Sequence, residues 1–149
     1  MKIVAHSIVK NEQNWVWYSL NSVLDYVDEI LVWDTGSTDR TIEIIKTISS
    51  PKIKFFHSPH INPESFTSVR QQMLRDTRSD WLLILDGDEI WPEESIRHTL
   101  SFINKSGSQY EYLIHPYYNL VGDVHHYQEK SAGKYKIGPY SGHITIRFI

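Results

Sequence analysis

Trp81-Leu82-Leu83-Ile84-Leu85-Asp86-Gly87-Asp88-Glu89 runs through five apolar residues and then sets three carboxylates within four positions. An apolar run closed by glycine reads as a buried strand, with Gly87 letting the chain turn sharply. Strands of a parallel sheet are buried on both faces, and ligands lie outside their carboxyl ends. Asp86, Asp88 and Glu89 are therefore expected together at a ligand-binding rim. Anions this close repel one another unless a cation or hydrogen-bond donors offset them. A hard divalent ion with oxygen ligands does so, and Mg²⁺ commonly shares its shell with a substrate's phosphates. The competing reading is a solvated acidic turn that caps the next helix.

Upstream, short apolar runs alternate with helical patterns. Ile3 to Val9 reads as a first strand, and Asn11 starts a helix marked by Val16, Leu20, Leu24 and Val27. Glu29 to Trp33 is a second strand, broken at Asp34-Thr35-Gly36-Ser37-Thr38-Asp39, where Ser37 or Thr38 can cap a helix carrying Ile42, Ile45 and Ile48. Lys52 to Phe56 is a third strand. A loop with Pro59 and Pro63 then leads to a helix with Phe66, Val69 and Met73 on one face. Trp81 to Leu85 is the fourth strand. Pro92 opens a helix with Ile96, Leu100 and Ile103 buried and Gly107 past its end. Four βα units imply an α/β fold, an open and mainly parallel sheet with helices on both faces, in a single domain. After Gly107 the rhythm stops. Tyr110 to Tyr118 and His143 to Phe148 read as strands, separated by a polar, His-rich stretch.

At 149 residues the chain suits one domain, and a net charge of −3 gives no reason to expect nucleic acid or an anionic membrane as partner. The absence of cysteine excludes disulfides and thiolate metal sites. No run approaches the roughly 18–20 apolar residues of a spanning helix, and the N-terminus turns polar too soon for a signal peptide. The expectation is a cytoplasmic protein, either free or peripheral to a membrane. Seven of the nine tyrosines lie at or beyond Tyr110. Their faces suit sugars, although core and interface packing use the same residues.

Two acidic turns follow two strands of one sheet and so share an edge. Asp34 could accept hydrogen bonds from a base or ribose, and the helix opening near Ser37 could meet an anion. Alternatively, Asp34 and Asp39 only tie down a turn. Lys10-Asn11-Glu12 holds the equivalent place after the first strand. Arg70, beside the stripe of the third helix, has a fork suited to phosphate or to the acidic turn, or to a surface ion pair. There is no GxxxxGK[ST] loop, no GxGxxG after the first strand and no GxSxG elbow. Asp123 with His125-His126 is a poor joint metal site, because neighbours on a strand point to opposite faces.

Lys10-Asn11-Glu12, Ser19-Leu20-Asn21-Ser22-Val23, Val27-Asp28-Glu29-Ile30, Trp33 through Thr41, Arg70 and Asp80-Trp81 with Leu85-Asp86-Gly87-Asp88-Glu89 recur in order. This series resembles the N-terminal, nucleotide-sugar-binding part of a family 2 glycosyltransferase, and Asp86-Gly87-Asp88 resembles its DxD motif. The resemblance covers roughly residues 2–105. It implies the GT-A fold (Rossmann-like), a nucleotide-sugar donor, usually UDP-linked, and a Mn²⁺ or Mg²⁺ ion. It places Asp34 near the nucleobase, Lys10 and Glu12 along the nucleotide pocket, and Arg70 against the donor or the acidic motif. Asp86 would meet the ribose or donor sugar, and Asp88, with Asp86, the metal. The implied reaction is metal-dependent transfer to an acceptor hydroxyl with inversion. The acceptor, whether carbohydrate, lipid or protein, is not indicated.

The family normally extends well beyond 149 residues, so residues 1–149 are expected to be a donor-binding domain truncated at its C-terminus. No catalytic base can be carried over. Asp123, His125, His126, Glu129 and His143 are the titratable candidates of the weakly matched tail. Two other readings stand beside this one: a non-catalytic nucleotide-sugar-binding fragment, and a metal-dependent nucleotidyltransferase. The latter would want a Gly/Arg/Lys-rich phosphate loop where Ser7-Ile8-Val9-Lys10-Asn11 stands. Replacing Asp34 is expected to weaken nucleotide binding with little change in stability.

Overall fold

The computed structural model describes residues 1–58 and 63–149, so Pro59 of the expected loop lies outside the described residues. Strands β1 (Ile3–Val9), β2 (Glu29–Asp34), β3 (Ile53–His57) and β4 (Trp81–Ile84) alternate with helices α1 (Val16–Leu24), α2 (Thr41–Thr47), α3 (Pro63–Asp76) and α4 (Glu93–Ser106). Beyond α4 come β5 (Leu113–Pro116), two hairpins built of β6 (Leu120–Val121) with β7 (Asp123–Tyr127) and β8 (Tyr135–Ile137) with β9 (Tyr140–Gly142), and finally β10 (Ile144–Phe148). One six-stranded sheet runs in the order β3-β2-β1-β4-β10-β5. Its first four strands are parallel, whereas β10 lies antiparallel between β4 and β5.

The alternation of side chains across a strand divides the core in two. Ile3, Ala5 and Val9 of β1, with Ile30, Val32 and Leu83, meet Val16, Leu20 and Val23 of α1, Ile45 of α2 and Ile96 and Ile103 of α4. Burying each of these Val, Leu and Ile side chains stabilises the fold by roughly 1.5–3 kcal/mol. Val4 and Leu31 face the other way, onto Val69 and Met73 of α3. Helices thus cover both faces, three on one and one on the other. Phe148 is fully buried among the first set and closes the sheet against Trp91, whose ring meets it edge-on at 5.7 Å.

Several boundaries differ from the sequence reading. The first helix begins at Val16, because Asn11 has a positive φ of 59° that no helix accepts. The second begins at Thr41, whose amide donates to Asp39 Oδ1 at 2.9 Å, so Asp39 does the work expected of Ser37 or Thr38. Phe66 is more exposed than Val69 and Met73, and the helical stripe narrows to those two. Gly87 does not adopt a positive φ. A Cβ there would lie 2.8 Å from Glu12 Cγ and 2.9 Å from Val9 Cγ1, so the position needs glycine for close approach and not for a turn. Among the described residues no helix is long and apolar enough to cross a membrane.

Candidate functional site

Parallel pairing brings the carboxyl ends of β1, β2, β3 and β4 to one edge, and three loops meet there. The register sets Asp34 beside Val9 on one side and beside His57 on the other. The loop after β1 and the turn after β2 are laced together. Asn11 N–H donates to Ser37 Oγ at 2.9 Å, Thr38 N–H to Asn11 Oδ1 at 2.8 Å and Glu12 N–H to Thr41 Oγ1 at 2.7 Å. Gln13 N–H donates to Asp39 Oδ2 at 3.1 Å, and Arg40 N–H returns to Gln13 Oε1 at 3.2 Å. Backbone groups that a loop would otherwise leave to water are thereby held in a fixed frame.

Asp34 is fully buried at the centre of this frame. It accepts the Gly36 amide at 3.0 Å, the Ser37 amide at 3.1 Å, the Ser37 hydroxyl, and His57 Nδ1–H at 2.9 Å. Burial raises its carboxyl, but the hydrogen bonds from Ser37, Gly36 and His57 outweigh that and hold it below the ordinary carboxylate range. The carboxylate therefore organises the turn and His57. Its removal would unmake that turn, contrary to the expectation that stability would hardly change.

The acidic turn after β4 is pinned from two sides. Ser19 Oγ of α1 donates to the Asp86 carbonyl at 2.9 Å. Arg147 Nη2 of β10 donates to Asp86 Oδ2 at 2.7 Å, and its Nε lies 2.9 Å from Glu89 Oε2. Burial raises the Glu89 carboxyl, with Arg147 opposing and Asp86 adding to the rise. Asp88 is exposed, and no hydrogen bond or ion pair engages it among the described residues. Glu12 lies across from it against Gly87. Burial first, then the charges of Asp88, Asp39 and Asp86, raise its carboxyl. Lys10 is exposed at the end of β1. Lys10, Glu12, Asp34, Asp86 and Asp88 thus share one edge. Arg70 places its guanidinium over the Phe66 ring of its own helix, 5.4 Å from the centroid.

Arg147 and His57 were missed in the sequence. Arg147 is the lone cation in the strand Ile144-Thr145-Ile146-Arg147-Phe148, which was the one available signal. It meets the acidic turn, one of the two partners, donor or acidic motif, that the resemblance implies for Arg70. Of the five candidate bases, Asp123, His126, Glu129 and His143 have side-chain partners within the tail. Asp123 Oδ1 accepts His126 Nδ1–H at 2.7 Å and the His125 amide at 2.8 Å, and Ser131 Oγ donates to Glu129 at 3.0 Å. His143 donates to the Ala132 carbonyl and stacks on Tyr117. Among the described residues none of these five bonds to Asp34, Asp86 or Asp88.

A glycosyltransferase of Rickettsia typhi is 31% identical over 112 residues, 75% of this chain and 36% of that protein. A TPR repeat-containing protein of Synechococcus elongatus is 38% identical over 82 residues, 55% of this chain and 19% of that protein. The chain spans little more than a third of the first of these relatives and a fifth of the second. The crystal structure of S. aureus TarS 1-349 aligns with a TM-score of 0.63 at 19% identity, over 90% of this chain and 40% of that one. TarS has also been solved in complex with UDP and with UDP-GlcNAc. At such identity the likeness shows the fold, the expected GT-A architecture. Residues 6–149 match the family described as Glycosyl transferase family 2. A chain matched by that family over nearly its whole length, with the sheet and helices of the same fold, belongs to glycosyl transferase family 2.

Proposed function

We propose that this chain is the donor-binding part of an enzyme that passes a sugar from a UDP-sugar to an acceptor hydroxyl. The observation that carries the reading is Asp88, an exposed carboxylate without a partner among the described residues, between a pinned acidic turn and Glu12, at the edge where the Asp34 turn also ends. The complexes of TarS with UDP and UDP-GlcNAc support a nucleotide-sugar donor.

A divalent cation, Mn²⁺ or Mg²⁺, suits the hard oxygen donors present. Among the described residues no group of three or more His, Cys, Asp or Glu is arranged to hold an ion. Such an ion would be held by one or two carboxylates and completed by phosphates and water, as Mg²⁺ commonly is. Asp88 would hold it, with the free oxygen of Asp86. When bound, the ion acts as a Lewis acid on the leaving diphosphate. In this reading the frame of Lys10, Glu12 and the Asp34 turn lines the nucleotide pocket, Asp34 through the turn that it holds. Arg70 faces the donor from α3, and Asp86 the ribose or donor sugar. The acceptor oxygen forms its bond to the anomeric carbon, with inversion, as the bond to the diphosphate breaks and a base takes the hydroxyl proton. No residue of this chain is assigned as that base.

Calorimetric titration of UDP with MnCl₂ tests the reading on wild type and Asp88→Ala. A tight ligand at a hundredfold excess over Kd adds about 2.7 kcal/mol to stability, so a melting shift should accompany binding in the wild type and vanish in the variant. Absence of UDP binding by the wild type, or equal shifts in both proteins, would overturn it. Binding without hydrolysis of any UDP-sugar would mark a binding module.

A further inference from the structure

In β10, two residues from Ile146 to Phe148 oppose a single step of β5 from Ile114 to Leu113. Arg147 is the extra residue of this bulge, and bulges commonly re-aim a side chain beside a site. Its side chain is largely enclosed, 18% exposed, and each arm of the guanidinium meets a different carboxylate, Asp86 at 2.7 Å and Glu89 at 2.9 Å. Two of the three anions of the acidic turn are thus already compensated from within the protein.

We propose that Arg147 is the built-in counter-cation of this turn, a positioning residue that withholds Asp86 Oδ2 and Glu89 from a divalent ion. The ion then finds Asp88 and, at most, the other oxygen of Asp86. It enters with the diphosphate of the donor and not ahead of it. This inference rests on the donor-site reading above. The physical basis is simple. A fixed positive charge within a few ångströms repels a divalent cation, and the fork occupies the very oxygens that would complete its shell.

The test is a titration of the 149-residue chain with Mn²⁺ alone, no nucleotide present, following free Mn²⁺ by electron paramagnetic resonance. Wild type should bind with a Kd weaker than about 1 mM, the weak end of protein cation sites. Arg147→Gln releases Asp86 and Glu89 to join the already available Asp88 and removes the repelling charge, so its Mn²⁺ affinity should rise about tenfold. Arg147→Lys keeps the charge and should stay near wild type. If the Arg served only to brace the fold, Arg147→Gln would melt earlier with its Mn²⁺ affinity unaltered. A gain short of about threefold in folded Arg147→Gln, or Arg147→Lys behaving like Arg147→Gln, overturns the proposal. So does a wild-type Kd tighter than about 1 mM, a measurement that needs no variant to fold. Failure of the wild type to bind UDP with Mn²⁺ would count against the donor-site reading and leave these metal-only outcomes as they stand.

Discussion

Buried His6 ties the stability of this fold to pH, and His6→Gln should cut that tie. His6 sits on the α3 side of β1, where its Nε2 lies 2.6 Å from Thr77 Oγ1. The Thr77 hydroxyl donates onward to the Met73 carbonyl at 2.7 Å, so the imidazole is the donor and is held neutral with its proton on Nε2. Burial, with Arg70 adding to it and Glu29 opposing, lowers its pKa from 6.5 to about 4. Between those values the unfolded chain binds the proton and the folded chain does not. The histidine's contribution is therefore complete above pH 6.5 and is lost as pH falls towards about 4. At about 1.36 kcal/mol per unit, the loss approaches ~3 kcal/mol at the acid end and is ~2 kcal/mol at pH ~5. Glutamine preserves the donor to Thr77 and cannot titrate. Urea unfolding of both proteins at pH ~7.5 and ~5 should show the wild type losing about 2 kcal/mol more than His6→Gln. Carboxylates that titrate in the same window are common to both proteins and cancel. Equal losses would mean that His6 protonates without opening the α3 contact, and the reasoning would fail.

Other expectations concern the site. Asp34→Ala leaves several buried donors without their acceptor and should cost at least about 2 kcal/mol in urea unfolding; unchanged stability would show that water replaces the carboxylate. Gly87→Ala drives a Cβ against Glu12 and Val9 and should cost about 1–3 kcal/mol while weakening UDP binding, both read on one protein preparation. A neutral melting temperature unmoved by that change would show that the β1 loop gives way freely. Glu12→Gln removes a carboxylate raised by burial and by Asp88, Asp39 and Asp86. It should raise the melting temperature at neutral pH, and the gain should fade in acid as the wild-type Glu12 takes up its proton. A gain that persists at low pH would point to packing and not charge.

The four βα units were legible because their signals are local. Period-two and period-3.6 apolar patterns, with glycine and proline between them, depend on residues a few positions apart. The strand ends fell within a residue or two for the same reason, and parallel pairing then obliges the turns at Asp34 and Asp86 to share an edge. Even the start of α1 failed only where a non-local contact decided it. Asn11 gives up helical geometry and hands its side-chain carbonyl to Thr38, 27 residues away.

What governs the chemistry of the edge was out of reach of the sequence alone. Whether Asp34 faces a ligand or its own turn depends on Ser37 and on His57 arriving from β3, and both carboxylate oxygens prove to be taken. Gly87 looks like a turn residue, yet its lack of a side chain matters because Glu12 packs against it. Arg147 reads as a cation in a tail strand, and it meets Asp86 across 61 positions of sequence. No periodicity announces that β10 will slip antiparallel between β4 and β5 or bulge at that residue. Strand order and register follow from which apolar faces can be closed at once, with Phe148 buried beside Leu83, and that is a property of the packed whole.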